Sequence, residues 1–343
     1  LNFLYLVLFY VWSLVLILGY FSIRQKGGRK EGIYHVFVLL SLVPLVICKV
    51  SPLFHMSLFG FIGISYLTFR VVQMIIEIYD GVIKEVSALE ITAFLAFFPS
   101  FSSGPIDRSR RFLADWNRVL KREEYMELCG TGIWKLLLGA VYKMVIAAGA
   151  YKVMGYFDTG TAWYHWVGYA YAYGIYLFFD FAGYSLMAVG SSYMLGIETP
   201  ENTIGGTKGI DILEDLTRDI REFWDRWHIT LSHWFRDFIF TRFVMYSSKK
   251  KWFSTRLQRA CAGFFVDMGI MGLWHGITPS YILYGLYHGL LLAATETYQK
   301  KSKFYKKHKN KTWYQVISWA ITMQLVFFGF FLFSGKLMEL VGF

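Results

Sequence analysis

Charged side chains are scarce in this sequence. Asp, Glu, Lys and Arg make up only 17% of its 343 residues, whereas they make up about a quarter of an ordinary soluble protein. Hydrophobic residues account for 55% and aromatic residues for 20%. This balance excludes an ordinary soluble domain and indicates a chain that is embedded in lipid.

Cysteines are few, and the common catalytic motifs are missing. Cys48, Cys129 and Cys261 are scattered, without the spacing of a metal site or a redox pair. His228 and His233 are five residues apart, which disfavours a two-histidine metal site on one helical face. The sequence contains neither a Gly-x-Ser-x-Gly elbow nor a His-Glu-x-x-His helix. We therefore expect no disulfide framework, no bound metal and no cysteine nucleophile.

The sequence has no internal repeat, no low-complexity linker and no signal peptide. The glycine-rich stretch "IGGTKG" (204–209) lacks the spacing of a phosphate loop, and we interpret it as a flexible loop. A single all-α polytopic membrane domain over residues 1–343 is the simplest prediction. Because the chain starts at Leu1, without a methionine and close to an apolar run, we interpret it as a fragment.

Long apolar runs are abundant. A helix needs about 20 apolar residues to cross the roughly 30 Å of hydrocarbon in a bilayer. Lipid admits only helices or closed barrels, and these runs are too long for barrel strands. We predict eight to ten membrane helices, with room for two crossings in the longest run. The runs are 3–21, 33–50, 58–79, 133–151, 163–197 and approximately 260–275, 280–298 and 314–333.

The net charge of +11 does not indicate nucleic-acid binding. The basic residues form short clusters between the apolar runs, at 24–30, 108–122, 249–259 and 300–311. Such connectors are typical of the cytoplasmic side of a membrane protein. They fix orientation, or they attract anionic lipid headgroups or an acidic protein partner.

The stretch 88–108 predicts a break at membrane depth. Its apolar part is too short to span a bilayer and ends at Pro99, Gly104 and Pro105. Irregular backbone survives in a membrane only where protein or a wet cavity surrounds it. We interpret the stretch as re-entrant, with a surface helix and an ordinary loop as the alternative.

The stretch 218–243 carries an ionisable stripe. If it is one helix, Arg221, Asp225, His228 and Ser232 share a face, with Arg236 at its edge. Such a stripe cannot face lipid, so it faces a polar interior, a cavity or the membrane interface. The alternative to a functional role is an ion pair between Asp225 and Arg236 that braces the helix bundle.

The apolar stretch "MGLWHGITPSYILYGLYHG" (271–289) contains two histidines, His275 and His288. Ionisable residues inside membrane segments are functional candidates by default, and histidine moves protons near neutral pH. His275 precedes a break signal at Gly276 and Pro279, so it can reach a cavity and a substrate. His288 lies on a continuous helix and is interpreted as structural. A proton relay or transporter also fits such histidines, although the paired repeats of many transporters are absent.

Four stretches resemble the membrane-bound O-acyltransferase superfamily. "SSGPIDR" and "FRDFIFTRF" fit the branch that moves D-alanine onto teichoic acids better than the related polysaccharide O-acetyltransferases. The resemblance covers nearly the whole chain in order. The stretches are "GISYLTFRVVQMIIEIYDGVIKE" (63–85), "FFPSFSSGPIDR" (97–108), "FDFAGYS" (179–185) with "REFWDRWHITLSHWFRDFIF" (221–240), and 271–289.

The resemblance implies a fold and a reaction. The fold is a ring of membrane helices, with re-entrant and interfacial helices around a thinned centre where an outer funnel nearly meets a cytoplasmic tunnel. The donor is D-alanine on the phosphopantetheine arm of a small acidic carrier protein, with no covalently bound cofactor. The acceptor is a hydroxyl of lipoteichoic or wall teichoic acid, reached directly or through a partner protein. The location is the plasma membrane of Gram-positive bacteria, and the alternative is an O-acetyltransferase for an exported polysaccharide.

The resemblance also implies roles for individual residues. His275 is the catalytic histidine and acts as general base on the acceptor hydroxyl. His228 is the second motif histidine, which lines the donor tunnel or polarises the carbonyl. The expected supporting residues are Trp274, Asp225, Ser232, Arg236, Asp237, Pro105 and Asp107. The expected carrier-docking residues are Arg242, Phe243, Val244, Met245, Lys249 and Lys250, which offer apolar anchors beside positive charge; the alternative is a plain helix end on lipid headgroups.

One stretch departs from the family pattern. Between Asn202 and Arg218, relatives tend to carry an Asn-Phe-x-x-Pro-Phe pattern that this sequence lacks. The contacts of the loop that leads to His228 therefore do not follow from the resemblance.

Overall fold

The computed structural model describes residues 2–56, 59–160, 162–203 and 217–342. The loop predicted at 204–209 and most of the divergent 202–218 stretch lie outside these residues. The chain forms two compact units, residues 1–137 with 185–200 and residues 138–184 with 201–343. This division does not test the prediction of one membrane domain, which stays a prediction.

The described part of the chain is all-helical apart from one isolated bridge, which confirms the predicted all-α class. The helices of the first half are α1 (Asn2–Gly27), α2 (Glu31–Val50), α3 (Ile64–Tyr79), α4 (Ala88–Ala96), α5 (Ser109–Trp116), α6 (Arg122–Val141), α7 (Ala148–Asp158) and α8 (Trp163–Met194). Those of the second half are α9 (Ile220–Arg226), α10 (Ile229–Phe235), α11 (Thr241–Lys249), α12 (Arg256–His275), α13 (Pro279–Lys301), α14 (Lys303–His308), α15 (Thr312–Phe333) and α16 (Lys336–Leu340). Single π-helical segments join α6 to α7 (Tyr142–Ala147) and α10 to α11 (Arg236–Phe240).

Five helical segments of the described chain are long and apolar enough to cross a membrane, fewer than the eight to ten predicted. They are Phe3–Gly27, Glu31–Phe54, Arg122–Asp158, Trp163–Met194 and Thr312–Phe333. The apolar residues of α1 separate onto two faces: Phe9, Leu16 and Ile17 are buried, whereas Phe3 and Leu8 are exposed. An exposed apolar face of this length fits contact with lipid.

The run 163–197 forms one helix and not the two crossings for which it has room. Helix α8 continues for 32 residues, about 48 Å at 1.5 Å per residue. Proline is absent from the run, so nothing removes a backbone hydrogen bond and ends the helix.

The first unit is built around α3, which packs against α1, α2 and α4 and is buried along nearly its whole length. Arg70 and Glu77 lie on one side of this buried helix. The Glu77 carboxylate accepts a hydrogen bond of 2.6 Å from Ser109 Oγ. The Arg70 guanidinium is fully buried beside the segment that follows α4.

Arg70 forms hydrogen bonds with the broken stretch 88–108. Its Nη1 donates to the carbonyl oxygens of Phe94 (2.6 Å) and Leu95 (3.2 Å), and its Nη2 donates to the carbonyl oxygen and Oγ of Ser100 (2.7 Å each). A helix end leaves carbonyl groups without intrahelical partners, and Arg70 supplies donors for them. This burial inside protein favours the re-entrant interpretation over a surface helix.

Part of the basic cluster at 108–122 is paired within the first unit. Arg111 Nε donates to Asp107 at 2.6 Å, and Arg111 Nη1 donates to Asp115 at 2.8 Å. Arg118 pairs with Glu198 at 2.7 Å. These arginines are held by carboxylates of the same chain, so the cluster is not simply a connector that faces lipid or a partner.

In the second unit, α12 packs closely on α13, and α13 packs on α9 and α15. The closest approach of α12 and α13 is at Gly272 and Gly285, where a Cβ on either glycine would collide with backbone of the facing helix. Small residues allow membrane helices to approach this closely. The contact lies three residues before His275 and fixes the end of α12.

Candidate active site

The segment 218–243 is not one helix, and the predicted continuous stripe is wrong in that respect. Helix α9 ends at Arg226, and α10 begins at Ile229. His228 stands between them with a left-handed backbone, φ 47° and ψ 51°. That conformation is uncommon for any residue with a Cβ, and it turns the His228 side chain away from the course of a regular helix.

Asn202 holds the His228 turn. Its backbone carbonyl accepts from Ile229 N at 2.9 Å, and its Oδ1 accepts from Thr230 N (3.2 Å) and Thr230 Oγ1 (2.8 Å). His228 Nδ1 lies 3.3 Å from the same Oδ1. A carbonyl oxygen only accepts, so Nδ1 carries the proton and Nε2 is the acceptor nitrogen of a neutral ring.

The His228 ring is buried against aromatic groups. The ring of Phe181, from the "FDFAGYS" stretch of α8, lies 4.5 Å from it between centroids, and Trp227 next in the chain contacts both Phe178 and Phe181. Lys143 of the π segment forms an ion pair with Asp180, the residue before Phe181.

His275 is the last residue of α12, as the break signal predicts, and is half-buried. Four aromatic rings surround it. The centroid distances are 4.6 Å to Trp274, 4.9 Å to Phe333, 6.0 Å to Tyr281 and 6.2 Å to Tyr284. The side chain therefore occupies a fixed aromatic site at a helix end.

The two motif histidines interact electrostatically. Burial, and to a smaller extent the nearby His275, lowers the pKa of His228 to about 3 from the ordinary value near 6.5. His228 lies between two seven-residue helices, outside the membrane-spanning segments. His228 is therefore neutral at physiological pH, in agreement with the tautomer that Asn202 imposes.

His288 is enclosed by aromatic rings. It has no exposed surface, and neither ring nitrogen has a hydrogen-bond partner among the described residues. Tyr284 (4.5 Å) and Trp224 (5.1 Å) contact its ring. These contacts are those of a packing residue, the role that the sequence indicates.

The polar residues of 218–243 still meet at one cavity. Arg221, Asp225, Ser232 and Arg236 line a cavity of about 550 Å³, which His228 does not line. A cavity is one of the three settings predicted for this stripe, and these four residues line one although the helix is broken between them. Trp224, Asp267, Glu296 and Lys300 line the same cavity.

The proposed brace between Asp225 and Arg236 is not formed among the described residues. Asp225 Oδ1 lies 3.9 Å from His233 Nε2, and Arg236 Nε donates to Asp237 at 3.1 Å. The break at His228 rotates α10 relative to α9, which removes the register on which the predicted pair depends. Asp237 therefore pairs with Arg236, whereas Asp225 lies near His233, for which the sequence predicts no role in the site.

The predicted docking residues lie on α11 and just beyond it. Met245, Lys249 and Lys250 are exposed, whereas Arg242 and Phe243 are partly buried. Val244 lines the polar cavity. The surface of α11 and the residue after it therefore exposes an apolar and two positive side chains, whereas Val244 of the same helix lines the cavity.

Pro105 and Asp107 belong to the first unit, and the two motif histidines belong to the second. Both are buried, and Asp107 is held by Arg111. Sequence reasoning missed Asn202 and Phe181 as contacts of His228.

Comparison with known proteins decides the family. The model of the MBOAT, membrane-bound O-acyltransferase family, matches residues 4–338. The chain belongs to this family. It is therefore an acyltransferase and a multi-pass membrane protein, as its apolar helices indicate.

Similar proteins include teichoic acid D-alanyltransferases and a probable alginate O-acetylase. The chain is 41% identical to the teichoic acid D-alanyltransferase of Bacillus subtilis, over 96% of this chain and 85% of that protein. It is 40% identical to the teichoic acid D-alanyltransferase of Lacticaseibacillus rhamnosus, over 96% and 84%. It is 30% identical to the probable alginate O-acetylase AlgI of Pseudomonas syringae, over 95% of this chain and 57% of that protein. The family assignment favours an enzyme over the transporter or proton relay that the histidines also allowed.

Proposed function

We propose that this acyltransferase moves D-alanine from the phosphopantetheine thioester of a small acidic carrier protein to a hydroxyl of lipoteichoic or wall teichoic acid. The reaction takes place in the plasma membrane of a Gram-positive bacterium, directly or through a partner protein. The observation that carries the proposal is the 37–41% identity to three teichoic acid D-alanyltransferases over 96–97% of the chain.

His275 is the general base in this proposal. It takes the proton of the acceptor hydroxyl while that oxygen attacks the thioester carbonyl carbon. The new C–O bond replaces the C–S bond, and the departing thiolate receives the proton.

In this proposal His228 lies on the donor's path beyond the polar cavity, which it does not line, and it does not polarise the carbonyl. Polarisation needs a hydrogen-bond donor, and Asn202 occupies the one N–H of the neutral ring. The Nε2 atom accepts a hydrogen bond and can orient the attacking hydroxyl or the amine of the D-alanyl group.

The polar cavity is suited to the arm of the carrier. Its lining includes Arg236, Arg256 and Lys300, which complement the phosphate of a phosphopantetheine group. Val244 connects the cavity to α11, where exposed Met245 and Lys249 fit an acidic helical partner. The arm would then enter the protein beside the surface on which the carrier docks.

Acetyl transfer to an exported polysaccharide is the second candidate, because a probable alginate O-acetylase is 30% identical to the chain. Donor identity separates the two. The same carrier protein is loaded with radiolabelled D-alanine or with an acetyl group and added to membranes that contain the enzyme, teichoic acid and the partner proteins of the pathway.

We expect the D-alanyl label to leave the carrier and appear in teichoic acid, with much slower loss of the acetyl group. Membranes that lack the enzyme are the control for spontaneous hydrolysis. The proposal would be overturned if the D-alanyl label stayed on the carrier while the carrier bound the enzyme and acetyl groups were transferred to polysaccharide.

A further inference from the structure

A second cavity of about 620 Å³ lies in the second unit, away from the residues assigned to acyl transfer. It is formed by the beginning of α9, the end of α13, α14 and the first half of α15. Neither motif histidine lines it. Its residues change in character from one end to the other, which indicates the kind of molecule that fits.

Two cationic side chains line one part of the cavity. Arg218, Lys309 and Asn310 belong to this part. Arg218 Nε is buried without a hydrogen-bond partner among the residues that the structure describes, and Lys309 is exposed. The neighbouring segment 300–311 contains seven lysines and no acidic residue. This local excess of positive charge attracts an anion.

Two carboxylates, Asp219 and Glu222, also line the cavity and keep their negative charge. Asp219 accepts from Gln299 Nε2 at 2.6 Å and from the backbone of α9. Glu222 accepts from the backbone nitrogen of Arg218 at 2.7 Å. Protein donors therefore already engage these carboxylates, and the lysines of 300–311 supply the local excess of positive charge that an incoming anion meets.

The other end of the cavity is apolar and follows a spanning helix. It extends along α15 from Trp313 to Leu325 and includes Ile317 and Ile321, about 18 Å at 1.5 Å per residue. One leaflet of hydrocarbon is about 15 Å deep. Ser318 Oγ on this face donates to the Arg218 carbonyl at 2.5 Å, so this hydroxyl does not make the surface polar.

Aromatic side chains mark the boundary between the two ends. Tyr298, Tyr305, Trp313 and Tyr314 line the cavity at the point where α15 begins. Tyrosine and tryptophan are enriched at the level of lipid headgroups. The boundary between polar and apolar lining thus coincides with the expected surface of the membrane.

We propose that this cavity binds one anionic phospholipid, with its phosphate at Arg218 and Lys309 and an acyl chain along Ile317, Ile321 and Leu325 of α15. Charge, length and the aromatic boundary all fit that occupant. Basic pockets between membrane helices bind anionic headgroups in this manner. The inference does not depend on the acyl-transfer reaction.

Native mass spectrometry of the full chain in detergent tests the proposal. Phosphatidylglycerol and phosphatidylcholine with identical acyl chains are titrated separately. We expect one phosphatidylglycerol to remain bound at detergent concentrations that remove phosphatidylcholine. Lys309→Gln weakens retention about fivefold, the effect of one basic group near an anionic headgroup, and Arg218→Gln weakens it at least as much.

Two matched controls separate this site from general attraction. Lys306→Gln removes the same charge from the same basic segment outside the cavity lining and leaves retention unchanged. Ile321→Trp fills the apolar end and weakens retention, whereas Val316→Trp, on α15 outside the lining, does not. Equal retention of the two lipids, or an equal loss in Lys306→Gln and Lys309→Gln, would overturn the proposal.

Discussion

At the scale of single residues, the turn at His228 is the feature on which the candidate site depends. A neutral histidine with a left-handed backbone is fixed by one asparagine that serves three donors through a single oxygen. The sequence marks His228 through the family motif. It does not predict the turn, because the periodicity of 218–243 continues across the break and the residues that cause it come from the preceding segment.

Asn202→Ala should slow acyl transfer about ten- to hundredfold, because buried donors on His228 and Thr230 lose their acceptor, at about 1–3 kcal/mol for each unsatisfied group. Asn202→Asp keeps the oxygen and should retain more activity than the alanine variant. Asn117→Ala, an exposed asparagine paired with Glu90, is the control. Transfer rates with equal amounts of folded protein provide the measurement. Full activity of Asn202→Ala would refute the positioning role.

The lowered pKa of His228 makes stability depend on pH. The unfolded chain binds a proton near pH 6.5, and the folded chain does so only near pH 3. Protonation therefore favours unfolding as the pH falls below 6.5, by about 2 kcal/mol at pH 5. This contribution to stability is fully present above pH 6.5.

Thermal unfolding in detergent at pH 8 and pH 5 measures this dependence. His228→Asn is the matched variant, because asparagine accepts a left-handed backbone and does not titrate. We expect the wild type to lose more stability than His228→Asn between the two pH values. Equal losses would show that His228 is not the responsible group.

At the scale of elements, the irregular stretch around 88–108 depends on a residue from another helix. The sequence predicts the break from its prolines and glycine, and the structure places the break where predicted. The partner of its free carbonyls could not be predicted, because Arg70 lies in an apolar run that reads as a plain membrane helix.

Arg70→Met should lower the stability of the protein by several kcal/mol, since a hydrogen bond from a charged donor contributes about 1.5–3 kcal/mol and several are lost. Arg110→Met removes the same group from an exposed position of α5 and should change stability by less than about 0.5 kcal/mol. Unfolding temperature and protease cleavage at 96–108 are the measurements. Equal behaviour of the two variants would contradict the role of Arg70.

The close crossing of α12 and α13 positions His275. Gly272→Ala should force the helices apart, because its Cβ meets backbone of α13, and should reduce transfer at least tenfold. Gly269→Ala, on the same helix with open space around its Cβ, should leave the rate unchanged. Transfer rate and unfolding temperature are compared for the pair, and a Gly272→Ala enzyme as active as Gly269→Ala would argue against this packing role.

At the scale of the whole molecule, composition alone predicts an all-helical membrane protein, and four motif stretches predict its family. Five described helices are long and apolar enough to cross a membrane, and the predicted eight to ten crossings stay a prediction; the apolar run at 58–79 includes α3, which is buried in protein. The contacts of polar residues such as Asn202 and Arg70 could not be predicted from periodicity, because their hydrogen-bond partners are distant in sequence. The ring of helices around a thinned centre stays a prediction.

The most direct test of the central claim is single-turnover transfer of D-alanine from the loaded carrier by wild type and by His275→Ala. Loss of a general base costs about 10²–10⁴ in rate, so His275→Ala should discharge the loaded carrier at least a hundredfold more slowly than the wild type. The variant should still bind the carrier and unfold at the wild-type temperature. His35→Ala, an exposed histidine of α2, should transfer at the wild-type rate. A His275→Ala enzyme that transfers D-alanine as fast as the wild type would contradict the account.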